Sequence, residues 1–337
     1  MIFDKEAFFR SVLTERRRKA VPIMTSPGMA LLAANAADVF QDGDLQFRCI
    51  RALSEFAPVD AQVTFMDLSI EAEAFGCEIA LSEHDNPTVC APLAVNASEI
   101  KALTVPPVGS GRTQEILNCA RLCAEQLERP TFAGLIGPFS LAGRIAGMSE
   151  MMMMAASEAD TAHLLLQKTS DFLIEYAKAI KSTGVAGLLI AEPAAGLLSP
   201  EMCQEFAANY LIKIIQAVND SNFMSILHNC GKTEKQIEAL LSTGADALHV
   251  GNAVDIGTIL PQIPETVLLL GNLDPVNVCK NMSASQVSER TLTLLEQTAP
   301  YKNHVFSSGC DLPGTVPLEN IQAFLGALKT YNAKNGE

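Results

Sequence analysis

The stretch Phe223-Met224-Ser225-Ile226-Leu227-His228-Asn229-Cys230-Gly231 decides how the chain is read. An apolar run with strand character stops at an imidazole, and a thiol and a glycine follow. Beyond it, Ile237, Leu240 and Leu241 have the spacing of one buried helix face. His228 and Cys230 therefore fall where a strand hands over to a helix. In extended backbone, residues i and i+2 point to the same side, so the two side chains can converge on one object. Imidazole and thiolate together are a frequent zinc pairing. A metal site needs at least one more ligand from elsewhere in the chain.

Working outward from that strand, the same rhythm repeats. Strand-like runs at 20–24, 63–67, 131–136 and 186–191 precede it, and runs at 247–250, 267–270 and 304–307 follow. Amphipathic stretches separate them, among them 112–129, 141–183, 200–218 and the final 319–331. Residues 1–18 read as a short amphipathic helix ending in the basic cluster Arg16-Arg17-Arg18-Lys19, a solvated helix end. Met151–Met154 reads as adaptable core. Between Cys77 and Pro107 the pattern is irregular and proline-rich, as expected of an inserted hairpin and loop rather than a second domain. About eight strands alternating with helices predict a single (β/α)8 TIM barrel spanning residues 1–337. An open doubly wound sheet is the alternative, but no Gly-x-Gly-x-x-Gly follows any of the strands.

Composition narrows the function. The 337 residues are 48% hydrophobic and 18% charged, enough for a large core. A formal charge of −14 argues against nucleic acid, whose phosphates require a basic footprint. The apolar runs are too short and interrupted to span a bilayer, and residues 1–19 lack the apolar core of a signal peptide. The nine cysteines do not form the dense framework of a small secreted domain. A protein of the reducing cytoplasm, with thiols free to act as ligands, is expected.

In such barrels the chemistry gathers at the carboxyl ends of the strands. Those ends carry Thr25, Asp67, Gly137, Glu192, His228 with Cys230, Asn252, Asn272 with Asp274, and Cys310. Cys310, at the end of the last strand, supplies the third soft ligand. His228, Cys230 and Cys310 would leave a fourth coordination position open, the pattern of a catalytic zinc. Asp67 and Glu192 are the expected rim carboxylates, orienting substrate or completing the metal shell. Asn252, Asn272 and Asp274 are expected as outer, cofactor-binding groups. The competing reading makes each cysteine a packed core thiol and each carboxylate a helix-start group. Cys49, Cys77, Cys90, Cys119, Cys123, Cys203 and Cys279 read as structural. His84, His163, His249 and His304 have no comparable neighbourhood.

Four motifs carry a resemblance: Leu227-His228-Asn229-Cys230-Gly231; Gly309-Cys310 followed by Val316-Pro317-Leu318-Glu319-Asn320; Gly137-Pro138-Phe139-Ser140-Leu141-Ala142; and Glu192-Pro193 followed by Leu198-Ser199-Pro200. Together, and in their order along the chain, they resemble the uroporphyrinogen decarboxylase superfamily, and within it the cobalamin-dependent methyltransferase branch. The resemblance implies a (β/α)8 barrel with Zn2+ on His228, Cys230 and Cys310. It also implies a separate corrinoid protein that carries cobalamin and docks at the barrel mouth, and a small methyl donor or thiol acceptor. Either direction of transfer uses the same ligands. The arginine-bearing N-terminal segment by which decarboxylases grip propionates is replaced here by Val21-Pro22-Ile23-Met24-Thr25-Ser26-Pro27-Gly28. Gly271-Asn272-Leu273-Asp274-Pro275 is shared family-wide. A metal-free tetrapyrrole decarboxylase and a non-catalytic corrinoid-binding module are the rival expectations.

Overall fold

Seven strands form a curled parallel sheet: β1 (Gln62–Val63), β4 (Thr131–Ile136), β5 (Gly187–Ala191), β6 (Met224–Asn229), β7 (Ala247–Val250), β8 (Leu268–Leu273) and β9 (His304–Ser308), in that spatial order. The other two strands, β2 (Ile79–Ala80) and β3 (Thr88–Val89), pair antiparallel within residues 77–107. These positions come from a computed structural model that describes residues 2–335. Met1, with which the expected N-terminal helix began, lies outside the described residues.

Parallel neighbours need helical crossovers, and proline and capping residues set where several helices start. Pro138 opens the helix Pro138–Ala146, and Ser283 with Gln286 forms a capping box on Ala284–Gln297. Asp4 caps Lys5–Thr14 by accepting the Ala7 N–H at 2.9 Å.

The expected first strand, 20–24, is reduced to a one-residue bridge between Ala20 and Phe306. Phe306 bonds to the residues on either side of Ala20: the Val21 N–H reaches the Phe306 carbonyl and the Phe306 N–H the Lys19 carbonyl, both at 2.9 Å. On the other side the Asp60 N–H donates to the Ala20 carbonyl at 2.9 Å, just ahead of β1. The expected strand 63–67 likewise stops early. At Thr64 the side-chain hydroxyl, not a carbonyl, accepts the Gly134 N–H at 2.9 Å, so the ladder leaves its regular pattern. Gly134 suits the close crossing, since a Cβ there would lie 2.5 Å from the Met66 sulfur and 3.1 Å from the Phe65 carbonyl.

Period-2 alternation divides the sheet's two faces. Phe132, Leu189, Ile226, Ala247, Leu270 and Val305 belong to an inner cluster with Val21 and Ile23. The alternate residues pack outward with the helices, Leu188, Ile190, Leu227 and Leu248 among them. The N-terminal segment joins the inner cluster at the end away from the strand tips: Phe3, ahead of the helix, and Phe8, within it, meet the Phe132 ring edge-on at 6.1 and 6.4 Å. Full burial of a side chain such as Phe132 is worth about 1.5–3 kcal/mol.

The basic cluster after that helix is solvated only in its first half, Arg16 and Arg17 being exposed. The half-buried Arg18 guanidinium donates to the carbonyls of Tyr301, His304 and Thr298 at 2.7, 2.9 and 3.1 Å, satisfying chain that leads into β9. Lys19, itself buried, pairs with Glu15 at 3.0 Å, and Arg17 with Asp60. Within the methionine run Met151 and Met154 are buried and Met153 faces out. No helix of the described residues is long and apolar enough to cross a membrane.

Candidate metal centre and cavity

β6 carries His228 on its inward face, two residues beyond Ile226, and the turn after it sets Cys230. Asn229 holds that turn: its amide donates to the Glu192 carbonyl at 2.6 Å, and its side-chain oxygen accepts the Gly231 N–H at 2.8 Å. Gly251 packs directly on the Cys230 backbone, where a Cβ would come within 2.5 Å. From the end of β9, Gly309 packs equally closely on Asn252 and delivers Cys310.

The outcome is a cluster. One ligand atom from each of His228, Cys230 and Cys310 lies within 4.8 Å of the others, and among the described residues no carboxylate completes the group. Cys310 Sγ stands 3.7 Å from His228 Nε2. Hydrogen bonding, first from the Cys310 thiol, draws the Cys230 thiol well below the usual range. The resulting negative charge and burial hold Cys310 protonated in turn.

The three side chains open onto a cavity of about 230 Å³. Ile23, Met66, Leu68 and Ala191 supply apolar wall, and Asn86 to Thr88 reach in from the β2–β3 hairpin. Arg144 is the one cationic side chain on this lining; it is exposed and has no ion-pair partner among the described residues. Asp311 also lines the cavity. Burial raises its carboxyl to about 6, although it accepts from the Ser26 hydroxyl at 3.0 Å and the Thr25 N–H at 3.2 Å.

The remaining strand-end candidates are placed elsewhere. Asp67 ion-pairs with Arg112 and accepts from the Ser69 N–H and hydroxyl at 2.9 and 2.6 Å, all behind the cavity wall. Glu192 turns onto the start of helix Pro138–Ala146, accepting the N–H groups of Phe139 and Ser140 at 2.9 and 2.7 Å and the Ser140 hydroxyl. Burial nonetheless raises its carboxyl to about 7. Both carboxylates are thus engaged by donors of their own and neither lines the cavity. Asn252, Asn272 and Asp274 border a separate cleft. There Asn252 and Asn277 donate to Asp274 at 2.8 and 2.9 Å, and Asn272 ties Gly251 to Val254 through their carbonyls. They brace the loops after β7 and β8. Of the other cysteines, Cys90 is exposed and Cys49, Cys77, Cys119, Cys123, Cys203 and Cys279 are buried.

Sequence reading missed His249. It lies beside His228 in the β6–β7 register, with the two Nδ1 atoms 2.8 Å apart, and its Nε2 is 2.9 Å from Ser307 Oγ. Burial, with His228 beside it, holds His249 well below the usual imidazole range. A lone histidine in the strand Ala247–Val250 gives no sign of this, because the contact is a property of register. Arg144 and Asp311 were missed as well; Asp311 directly follows Cys310 and was the more findable.

A curled parallel sheet with a soft-ligand cluster at its strand tips places the molecule among α/β proteins whose site is built by strand ends. The chain belongs to the uroporphyrinogen decarboxylase (URO-D) family, whose profile matches residues 17–331. It is 30% identical over 270 residues to the methylcobamide:CoM methyltransferase MtbA of Methanosarcina acetivorans, covering 79% of this chain and 78% of that one. It is 25% identical over 291 residues to the uroporphyrinogen decarboxylase of Coxiella burnetii, covering 83% and 80%. In fold it matches a methyltransferase from Methanosarcina mazei with a TM-score of 0.87 and 21% identity, over 98% of this chain and 99% of that one.

Proposed function

We propose that this chain is a methyltransferase that moves a methyl group between a corrinoid carried by a partner protein and a small thiol, with zinc held by His228, Cys230 and Cys310. The observation that carries the reading is the one-nitrogen, two-sulfur cluster. Its donor chemistry suits zinc. The 3.7 Å separation of His228 Nε2 and Cys310 Sγ is close to the edge of a zinc tetrahedron, roughly 3.6 Å from ordinary bond lengths. Three protein ligands leave one position for substrate. Zinc bound there would supply a low-pKa, thiolate-stabilising position facing the cavity.

The chain's own residues then do the positioning. Ile23, Met66 and Leu68 keep water from the reacting atoms, and Arg144 suits an anionic end on the substrate. The corrinoid-bearing partner would dock over the loops that follow the strand ends, on which Leu197 and Val276 are exposed. We further infer that residues 20–24 close the sheet into a (β/α)8 barrel and that the chain works as one domain in the cytoplasm. A decarboxylase reading fits the cavity poorly. A tetrapyrrole with eight carboxylates needs more room than about 230 Å³ and more than one cation.

The test follows methylcobalamin absorbance with a panel of thiols. The wild-type protein is expected to consume methylcobalamin with anionic thiols such as coenzyme M in preference to neutral ones, and Cys310→Ala to be inactive. Turnover of uroporphyrinogen by zinc-free protein would contradict the proposal.

A further inference from the structure

His249 has a geometry that the ligand cluster alone does not explain. Its ring meets His228 edge-on, with centroids 4.6 Å apart and planes at 77°, and the two Nδ1 atoms at 2.8 Å. Two imidazoles joined this way share a single hydrogen: one nitrogen donates and the other accepts. The metal end fixes the direction. His228 turns Nε2 toward Cys310, and a ligating nitrogen carries no hydrogen, so in neutral His228 the hydrogen sits on Nδ1. His249 Nδ1 must therefore accept, its own hydrogen lies on Nε2, and Ser307 Oγ at 2.9 Å receives it.

We infer that His249 is the positioning residue of this centre: it selects the His228 tautomer that presents Nε2 and holds the ring in place, with Ser307 fixing His249 in turn. The inference rests on the metal-centre reading above. His228, His249 and Ser307 come from β6, β7 and β9 and are all buried, so water does not replace a missing partner. A metal-bound histidine is more often braced by a carboxylate, a carbonyl or water. An imidazole in that place orients His228 without adding a negative charge to a centre that already holds two sulfurs.

The experiment compares wild type with His249→Asn and His249→Leu in the full chain. Asparagine and leucine have the same shape, but only asparagine keeps an oxygen near the Nδ1 position to accept from His228. Zinc affinity is read by chelator competition, and the ligand geometry by the visible spectrum of the Co2+-loaded protein. His249→Leu is expected to bind zinc about 10–100-fold more weakly with an altered Co2+ spectrum, and His249→Asn to recover most of both. Should His249→Leu fold poorly, Ser307→Ala is read the same way and is expected to lose affinity in the same sense. Equal affinity and an unchanged spectrum in wild type and His249→Leu, or in Ser307→Ala where that is the variant read, would overturn the inference. So would equal losses in the leucine and asparagine variants. A wild-type protein that binds no zinc would instead overturn the metal-centre reading beneath it.

Discussion

At Glu71 one carboxylate oxygen accepts the Ile136 N–H at 3.2 Å, while the other is buried with no partner. Burial raises this carboxyl from 4.5 to about 7. Between those values the folded protein binds more protons than the unfolded chain. The contribution to stability is therefore fully present below about pH 4.5 and is lost as pH rises through about 7. Glu71→Gln removes the titration at nearly constant shape. Urea midpoints measured from pH 5 to pH 8 should show the variant gaining on wild type by on the order of 2 kcal/mol. Parallel profiles would refute the assignment. No sequence signal distinguished this glutamate from Glu73 two residues on, which is half-exposed and pairs with Arg112 at 2.7 Å. The difference is made by what packs around each, and one chain of residue types does not record that. By contrast, His228, Cys230 and Cys310 were legible, because soft ligands at the ends of apolar runs are uncommon and easily seen.

Among the elements, the helix Pro138–Ala146 shows how a strand-end carboxylate can serve structure. Glu192 accepts the N–H groups that a helix start leaves unpaired, which a carboxylate at the positive end of the helix dipole does well. Gly137 permits the approach, since a Cβ there would lie 2.3 Å from the carboxylate. Glu192→Ala is expected to cost about 1–2 kcal/mol of stability and to leave zinc content unchanged. Thermal melting and metal analysis of one preparation check both. Loss of zinc with unchanged melting would return Glu192 to the ligand shell. From sequence, Glu192-Pro193 reads equally as rim acid or helix cap, because both occur where a strand ends. The strands were easier, since parallel strands covered on both faces read as short continuous apolar runs. Residues 20–24 have that pattern too, but only Ala20 gains a bridge partner.

For the molecule as a whole, the alternation of apolar runs and amphipathic stretches was enough to foresee a parallel sheet with helical crossovers. It could not show register, and register places His249 beside His228. Nor could it show that Arg18 would turn onto carbonyls near β9, because four adjacent basic residues read as solvated. The curled sheet brings the end of β9 to the end of β6, and all the chemistry proposed here depends on that meeting. X-ray absorption at the zinc edge of zinc-loaded protein tests it most directly. Zinc on His228, Cys230 and Cys310 should show two sulfurs near ~2.3 Å and one nitrogen near ~2.0–2.1 Å from the protein, with a third sulfur appearing when the thiol substrate is added. A shell of nitrogen and oxygen alone, or one unchanged in Cys310→Ala, would contradict it.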